Sequence, residues 1–161
     1  MPTKTLKEFL DQNKIYYETI THSTAYTAQE IASLTHIKGK EVAKTVIVKI
    51  DDSLAMAVLP ASLQIDLALL KAAAGASKVA LATEAEFRYR FPECETGAMP
   101  PFGQLYGMPV FVDESLTSDK EIAFSAGSHH EIIRISFDDY VKVVRPKIAT
   151  FAAAVPAAAR L

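Results

Sequence analysis

The chain has a single cysteine, no apolar run long enough to span a bilayer and no surplus of basic charge. Cys94 stands alone, so no internal disulfide can form, and its presence suits a reducing compartment. The longest apolar stretches are short and broken by charges, and Met1-Pro2-Thr3-Lys4 runs straight into a helical pattern instead of a basic-then-apolar leader. A cytoplasmic protein with no membrane partner is therefore expected. A net charge of −2 leaves no domain-wide basic footprint. That argues against a DNA partner and confines any RNA contact to a local patch.

Common catalytic signatures are also missing. There is no Gly-x-Ser-x-Gly elbow, no P-loop and no Gly-x-Gly-x-x-Gly after a strand. His22, His36, His129, His130 and Cys94 form neither a His-x-x-x-His nor a Cys-x-x-Cys pair, so neither a metal nor another cofactor is expected. Adjacent strand positions face opposite ways, and His129-His130 reads more readily as two hairpin residues, one in and one out, than as a ligand pair. His22 either caps or lines a pocket.

What is present is an ordinary globular composition, 50% hydrophobic and 22% charged over 161 residues. A chain of this size fits one domain, 1–161, that buries roughly 70% of the surface its unfolded form exposes. Capping-box patterns at Thr5–Glu8, Thr27–Glu30 and Thr83–Glu86 predict helices through about Asn13, through about Leu34, and up to a stop before Pro92. Asp66–Ala74 predicts a further helix ended by Gly75, and Asp138–Val143 a last one before Pro146. Runs rich in branched and aromatic residues predict strands over 15–20, 45–50, 54–59, 78–82, 109–114, 121–127 and 131–137. Asp51-Asp52-Ser53 and Gly127–His130 read as hairpin turns. Closely spaced strands with interspersed helices predict a mixed α/β domain, a largely antiparallel or mixed curved sheet with flanking helices. The alanine-rich tail, 147–161, interrupted by Pro156, is expected to be frayed or loosely docked.

Three segments carry unusual chemistry. "THSTAYTAQEIA", Thr21–Ala32, ends a strand in a hydroxyl-rich loop before a capped helix. "KGKEVAKTVIVKI" sets Lys44 at the mouth of an apolar strand, where burial lowers an ammonium pKa and an anionic or carbonyl oxygen would be a welcome partner; a lysine snorkelling at a strand end is the plainer reading. "CETGAMPPFGQLYG", Cys94–Gly107, cannot be a regular helix or central strand because Pro100 and Pro101 lack backbone donors. Glycine lets backbone approach a ligand closely and the proline pair stiffens what surrounds it. Gly97, Ala98, Met99, Phe102 and Gly103 keep N–H groups that could face a developing oxyanion. A plain tight connection is the alternative.

Taken together, "HSTAYTAQEIA", "VAKTVIV", "GAMPPFG" and "FSAGSHHEIIRI" resemble the YbaK/prolyl-tRNA editing-domain family, whose members hydrolyse aminoacyl-tRNAs carrying the wrong amino acid. The likeness runs from about Tyr17 to Arg145. It implies that Gly97–Pro101 is the family's active-site Gly-x-x-x-Pro loop and that Lys44 is its functionally required lysine, fixing the terminal nucleotide or ester carbonyl while the loop positions a hydrolytic water. It further implies help from the substrate's own ribose hydroxyl, which removes the need for a Ser-His-Asp set. His22, Thr24 and Tyr26 on the first segment, Phe102 and Gly103 on the loop, and Gly127, Ser128 and His129 on the last segment become pocket candidates. The implied substrate is an aminoacyl-tRNA, held by its acceptor end, bearing Ala, Ser, Thr, Cys or Pro.

Lys38, Lys40 and Lys44, with Lys49 as a further member, could supply a local patch for RNA, and an aminoacyl-tRNA synthetase could assist binding. The resulting expectation is a free-standing deacylase of mischarged tRNA. Two other readings compete: a non-catalytic module that binds aminoacyl-tRNA or a synthetase, and a small-ester hydrolase unrelated to tRNA.

Overall fold

The computed structural model describes residues 2–23, 30–31, 35, 37–38 and 40–154. Its helices are α1 (Pro2–Gln12), α2 (Leu67–Ala74), α3 (Glu84–Phe87) and α4 (Phe137–Val144). Its strands are β1 (Tyr17–Thr21), β2 (Ala43–Ile50), β3 (Ser53–Pro60), β4 (Leu63–Ile65), β5 (Val79–Leu81), β6 (Val110–Asp113), β7 (Glu121–Ser125), β8 (Glu131–Ser136), β9 (Lys147–Ala149) and β10 (Ala152–Ala154). None of the described helices is long and apolar enough to cross a membrane.

Local chemistry accounts for most of these boundaries. Thr83 and Glu86 form the reciprocal capping box at the start of α3. Asp66 caps α2 by accepting from the Leu69 N–H, and the helix stops at Gly75. Ser136 caps α4 by accepting from the Asp139 N–H, and Asp138 and Asp139 complement the positive end of its dipole. Asp51 and Asp52, at φ 48° and 70°, turn β2 into β3 with the mirror-image geometry that suits the twist of a hairpin. The first helix departs from expectation. It begins at Pro2, so Thr5 lies inside it and caps nothing, because proline has no N–H to lose in a first turn and its φ is already helical.

Three sheets result. β1-β8-β7 is antiparallel, β5-β2-β3-β6-β9 is mixed, and β4-β10 is a small antiparallel ribbon. The β2–β3 hairpin pairs over its full length, Ala43 with Pro60 through Ile50 with Ser53, while β6 joins β3 in parallel. A single parallel bridge between Val42 and Ala123 connects the first two sheets. This is the mixed, curved α/β domain expected.

The largest core cluster lies between the two sheets. α1 contributes Leu6 and Leu10, four residues apart on one helix face, and α4 contributes Phe137, Tyr140 and Val144. Phe102 sits at the centre, its ring edge-on to Phe9, Phe124 and Tyr140 at 5.9, 5.3 and 5.5 Å. The Tyr140 hydroxyl, fully buried, donates to the Pro101 carbonyl at 2.7 Å.

Residues 147–154 are docked where a frayed or loosely docked tail was expected, and the rest of the tail lies outside the described residues. β9 runs parallel to β6, and β10 pairs with β4. Phe151 between them is fully buried. Asp113 makes the junction: its carboxylate accepts from the Phe151 and Ala152 N–H groups, both at 2.9 Å, and from the N–H and hydroxyl of Ser115. Alanine has little strand preference, so these short segments are strands only because partners are waiting for them.

Burial pushes the Asp113 carboxyl up, but its hydrogen bonds outweigh that and hold it below the ordinary carboxylate range. The stability it contributes is present above the unfolded carboxyl pKa of about 3.9 and is lost as pH falls through the lower folded value. Asp113→Ala should cost about 3 kcal/mol in urea unfolding, with the 147–154 segment the first to become protease-sensitive. The stability gap between wild type and Asp113→Asn should narrow below about pH 4; a gap independent of pH would refute the ionic junction. Tyr140→Phe should cost about 1–2 kcal/mol by the same measurement, since it strands the Pro101 carbonyl.

Candidate functional site

The bridge at Val42 and Ala123 decides where the polar residues gather. From it, the chain runs in the same direction toward Lys44 on one strand and toward Ser125, Ala126 and Gly127 on the other. Val42, Ala123 and Ile132 form one apolar cluster with Ile31, Ile37 and Ala61, and Ile20 packs against it. Side chains alternate along a strand, so Lys44, Ser125 and His22 extend the same sheet face two residues beyond this cluster. The His22 N–H donates to the His130 carbonyl at 2.8 Å, which carries the β1–β8 pairing one step further and aligns His130 with His22. One end of one face thus collects a lysine, a serine and two histidines.

Lys44 is half-buried, and among the described residues no hydrogen bond or ion pair reaches its ammonium. Burial alone pulls its pKa below the ordinary lysine value, with no carboxylate to offset it. His22 is comparably exposed to partnership: its Nδ1 contacts the Ser23 carbonyl at 2.6 Å, while its buried Nε2 has no partner among the described residues.

The Gly97–Pro101 loop packs at the same end, tied to the turn that follows β7. The Gly127 N–H donates to the Ala98 carbonyl at 2.8 Å, and the Glu95 N–H donates to the Gly127 carbonyl at 2.9 Å. Gly97 is exposed and has φ 87°, a conformation L side chains rarely adopt. Its N–H points at the Met99 sulfur at 3.3 Å, a weak acceptor. Among the described residues the Met99 N–H has no acceptor.

The other expected donors are already committed. The Ala98 N–H goes to the Glu95 carbonyl at 3.0 Å and the Phe102 N–H to the Pro100 carbonyl at 2.9 Å. Phe102 and Gly103, expected to bind substrate, belong instead to the core. The Phe102 side chain is fully buried among aromatic rings, and a Cβ on Gly103 would fall 2.0 Å from the Met108 carbonyl. Gly103 is glycine because backbone crosses it there.

The hairpin turn puts one histidine in and one out, as the alternation predicts. His129 is buried, and its imidazole faces the loop, with Nε2 2.9 Å from the Thr96 carbonyl and its own N–H donated to the Glu95 carboxylate at 2.8 Å. His130, not His129, extends the site's face. The Ser128 hydroxyl accepts from the His130 N–H at 3.3 Å. Ser125, His130 and Glu95 were not singled out by sequence reasoning; strict alternation counted back from Ile132 and Ala123 would have found the first two. Thr24 and Tyr26 lie outside the described residues, as do His36 and most of the helix expected through Leu34.

The lysine patch is smaller than expected. Lys49 is an odd number of residues from Lys44, so it faces the other way, where it pairs with Glu86. Lys40 lies close to Asp119, a buried carboxyl that burial pushes up and Lys40 pulls partly back. Lys38 and Lys44 remain. Among the described residues no three His, Cys, Asp or Glu side chains are arranged to hold a metal ion.

Solved structures share this architecture. Hypothetical protein APE2540 superposes with a TM-score of 0.83 at 20% identity, over 92% of this chain and 99% of its own. A proposed trans-editing enzyme for prolyl-tRNA synthetase superposes with a TM-score of 0.81 at 17% identity, over 95% and 98%. A proposed signal-transduction protein from Marinobacter aquaeolei VT8 contains the same fold in 30% of its chain, at 16% identity and a TM-score of 0.70. At these identities the likeness establishes the fold. A profile of the aminoacyl-tRNA editing domain matches residues 22–143, which span His22, Lys44, the Gly97–Pro101 loop and the turn after β7. With that match over most of its length, the chain belongs to the aminoacyl-tRNA editing domain family.

Proposed function

We propose that this chain is a free-standing hydrolase that removes a small amino acid, one of Ala, Ser, Thr, Cys or Pro, from mischarged tRNA. The observation that carries the reading is the placement of half-buried Lys44, whose ammonium has no hydrogen bond or ion pair among the described residues, at the same end of the sheet as the Gly97–Pro101 loop. A desolvated ammonium with no carboxylate beside it attracts an ester carbonyl or a terminal phosphate far more strongly than one in water. Water adds to the ester carbonyl, the Gly97 and Met99 N–H groups face the oxyanion, and the bond to the ribose oxygen breaks. The tRNA leaves with a free hydroxyl, and the amino acid leaves as its acid. The departing ribose and its neighbouring hydroxyl take part in the proton transfers, so no protein base is required.

Ala98 and Pro101 shape the loop, the first through its Gly127 bond and the second through Tyr140. His22, Gly127 and Ser128 line the amino-acid side of the pocket, with Thr24 and Tyr26 proposed to complete it, and His129 serves as its wall. A pocket of this kind separates substrates differing by one methylene by only about 1–3 kcal/mol. The acceptor end needs few phosphate contacts, which Lys38 and Lys44 can make in an otherwise acidic chain; a synthetase partner would add the rest of the affinity.

The test is deacylation of tRNAs mischarged with each of the five amino acids. One or two should be cleaved, insensitively to a chelator, and Lys44→Ala should lose at least about tenfold, or about 1.4 kcal/mol of transition-state stabilisation. Binding without turnover would replace this reading with a non-catalytic module, and equal turnover of free aminoacyl esters would replace it with a general esterase. Because burial lowers the Lys44 pKa, its charge destabilises the fold at neutral pH, and any stability that Lys44→Met gains over wild type should shrink as pH rises toward the unfolded lysine value of about 10.4. Lys44→Met should therefore be inactive yet at least as stable as wild type in urea at pH 7; a less stable variant would show that Lys44 is structural.

A further inference from the structure

The Gly-x-x-x-Pro loop is held asymmetrically. Its C-terminal side is rigid by construction, since Pro100 and Pro101 are buried and the Tyr140 hydroxyl grips the Pro101 carbonyl. Its N-terminal side ends in Gly97, an exposed left-handed glycine with no side chain to anchor it. Ala98 is buried and Met99 packs into the core cluster, so the freedom left in the loop lies on the Gly97 side and is restrained from Glu95 and Thr96.

Glu95 is unusual for a surface carboxylate. Its side chain is 46% exposed, yet one oxygen accepts the backbone N–H of buried His129 at 2.8 Å and stands 3.7 Å from the imidazole Nε2. Its main chain is used twice more: the N–H goes to the Gly127 carbonyl and the carbonyl takes the Ala98 N–H. The His129 ring completes the arrangement through the Thr96 carbonyl at 2.9 Å, and a Cβ at Gly97 would sit 3.7 Å from its Cε1. Loop and turn are thus stitched together on both sides of Gly97, and the Glu95 carboxylate is the one side-chain acceptor in the stitch that a substitution can remove cleanly.

We infer that Glu95 is a positioning residue, whose carboxylate clasps the turn after β7 to the Gly-x-x-x-Pro loop and sets the direction of the Gly97 and Met99 N–H groups. This rests on the deacylase reading for its catalytic consequence, though not for the clasp itself. Without the carboxylate the His129 N–H loses that acceptor, and the loop and turn keep only the Glu95–Gly127 and Gly127–Ala98 backbone bonds and the His129–Thr96 contact, which aim Gly97 less firmly. A charge-assisted acceptor is stronger than a neutral one, but an amide oxygen of the same reach can replace it.

Two variants and two readouts test the inference. In Glu95→Ala, amide exchange followed by NMR should accelerate about tenfold or more at His129 and Gly127, and the Gly97 and Met99 resonances should shift or broaden, while the thermal midpoint moves by only a few degrees. On the best tRNA of the mischarged panel, kcat should fall at least about tenfold with KM within about twofold, the pattern of an interaction realised in the transition state. Glu95→Gln, which keeps an acceptor oxygen at the same reach, should recover most of both. Unchanged exchange and kcat in Glu95→Ala would overturn the inference, as would a loss that Glu95→Gln does not relieve. If wild type cleaves no aminoacyl-tRNA, the deacylase reading fails, and the exchange rates alone decide whether the clasp exists.

Discussion

One backbone hydrogen bond, from the Ala123 N–H to the Glu41 carbonyl at 2.9 Å, fixes how two sheets that share one large core meet at their edges. It fixes the parallel register of Val42 against Ala123, both essentially excluded from solvent. Everything about the site follows from that register. A shift of one residue would turn Lys44 to the opposite face of β2, among Thr45 and Ile47, where the large core cluster leaves no room for an ammonium. The apolar residues around the bridge therefore do more than stabilise; they exclude water from the one place where a slipped pairing would move the lysine.

The site end of the domain is built from parts of unequal stiffness. Proline, a buried tyrosine hydroxyl and a stack of aromatic rings immobilise the stretch from Pro100 to Gly103. The stretch from Glu95 to Gly97 is held by hydrogen bonds to a hairpin turn, while Ala98 is buried and Met99 packs into the core cluster. A rigid anchor next to a hydrogen-bonded segment lets the loop's N–H groups be aimed by polar contacts while the core fixes their distance. Such an arrangement favours preorganised stabilisation of developing charge over covalent chemistry, in keeping with the lack of a nucleophile–base pair among the motifs of the sequence.

Electrostatics show the same economy. The chain is slightly acidic and the described lysines near the site are few, yet half-buried Lys44 has no counterion among the described residues. A fold optimised for stability alone would pair or remove that charge. Lys49, five residues along the same strand and on the other face, shows what pairing looks like: it is bound to Glu86. The contrast between these two lysines of one strand separates a charge used for structure from one kept available.

Much of the fold and part of the site were legible in the sequence. Capping residues, turn residues and the branched runs mark α2, β2, β3, β7 and β8 within a residue or two, and the start of α3, because those signals are local. The short strands β4, β9 and β10 were not legible, since segments of three residues acquire strand geometry only from the partners brought to them. Lys44 and the Gly97–Pro101 loop could be named from the chain alone, as a charged residue opening an apolar strand and a glycine–proline loop are chemically conspicuous there. That Phe102 and Gly103 serve the core, that His129 turns to the loop while His130 takes the site face, and that Glu95 reaches across to the turn were decided only by tertiary structure. Each depends on a register between segments some thirty or more residues apart or on a close approach of backbone, and neither leaves a mark in local sequence.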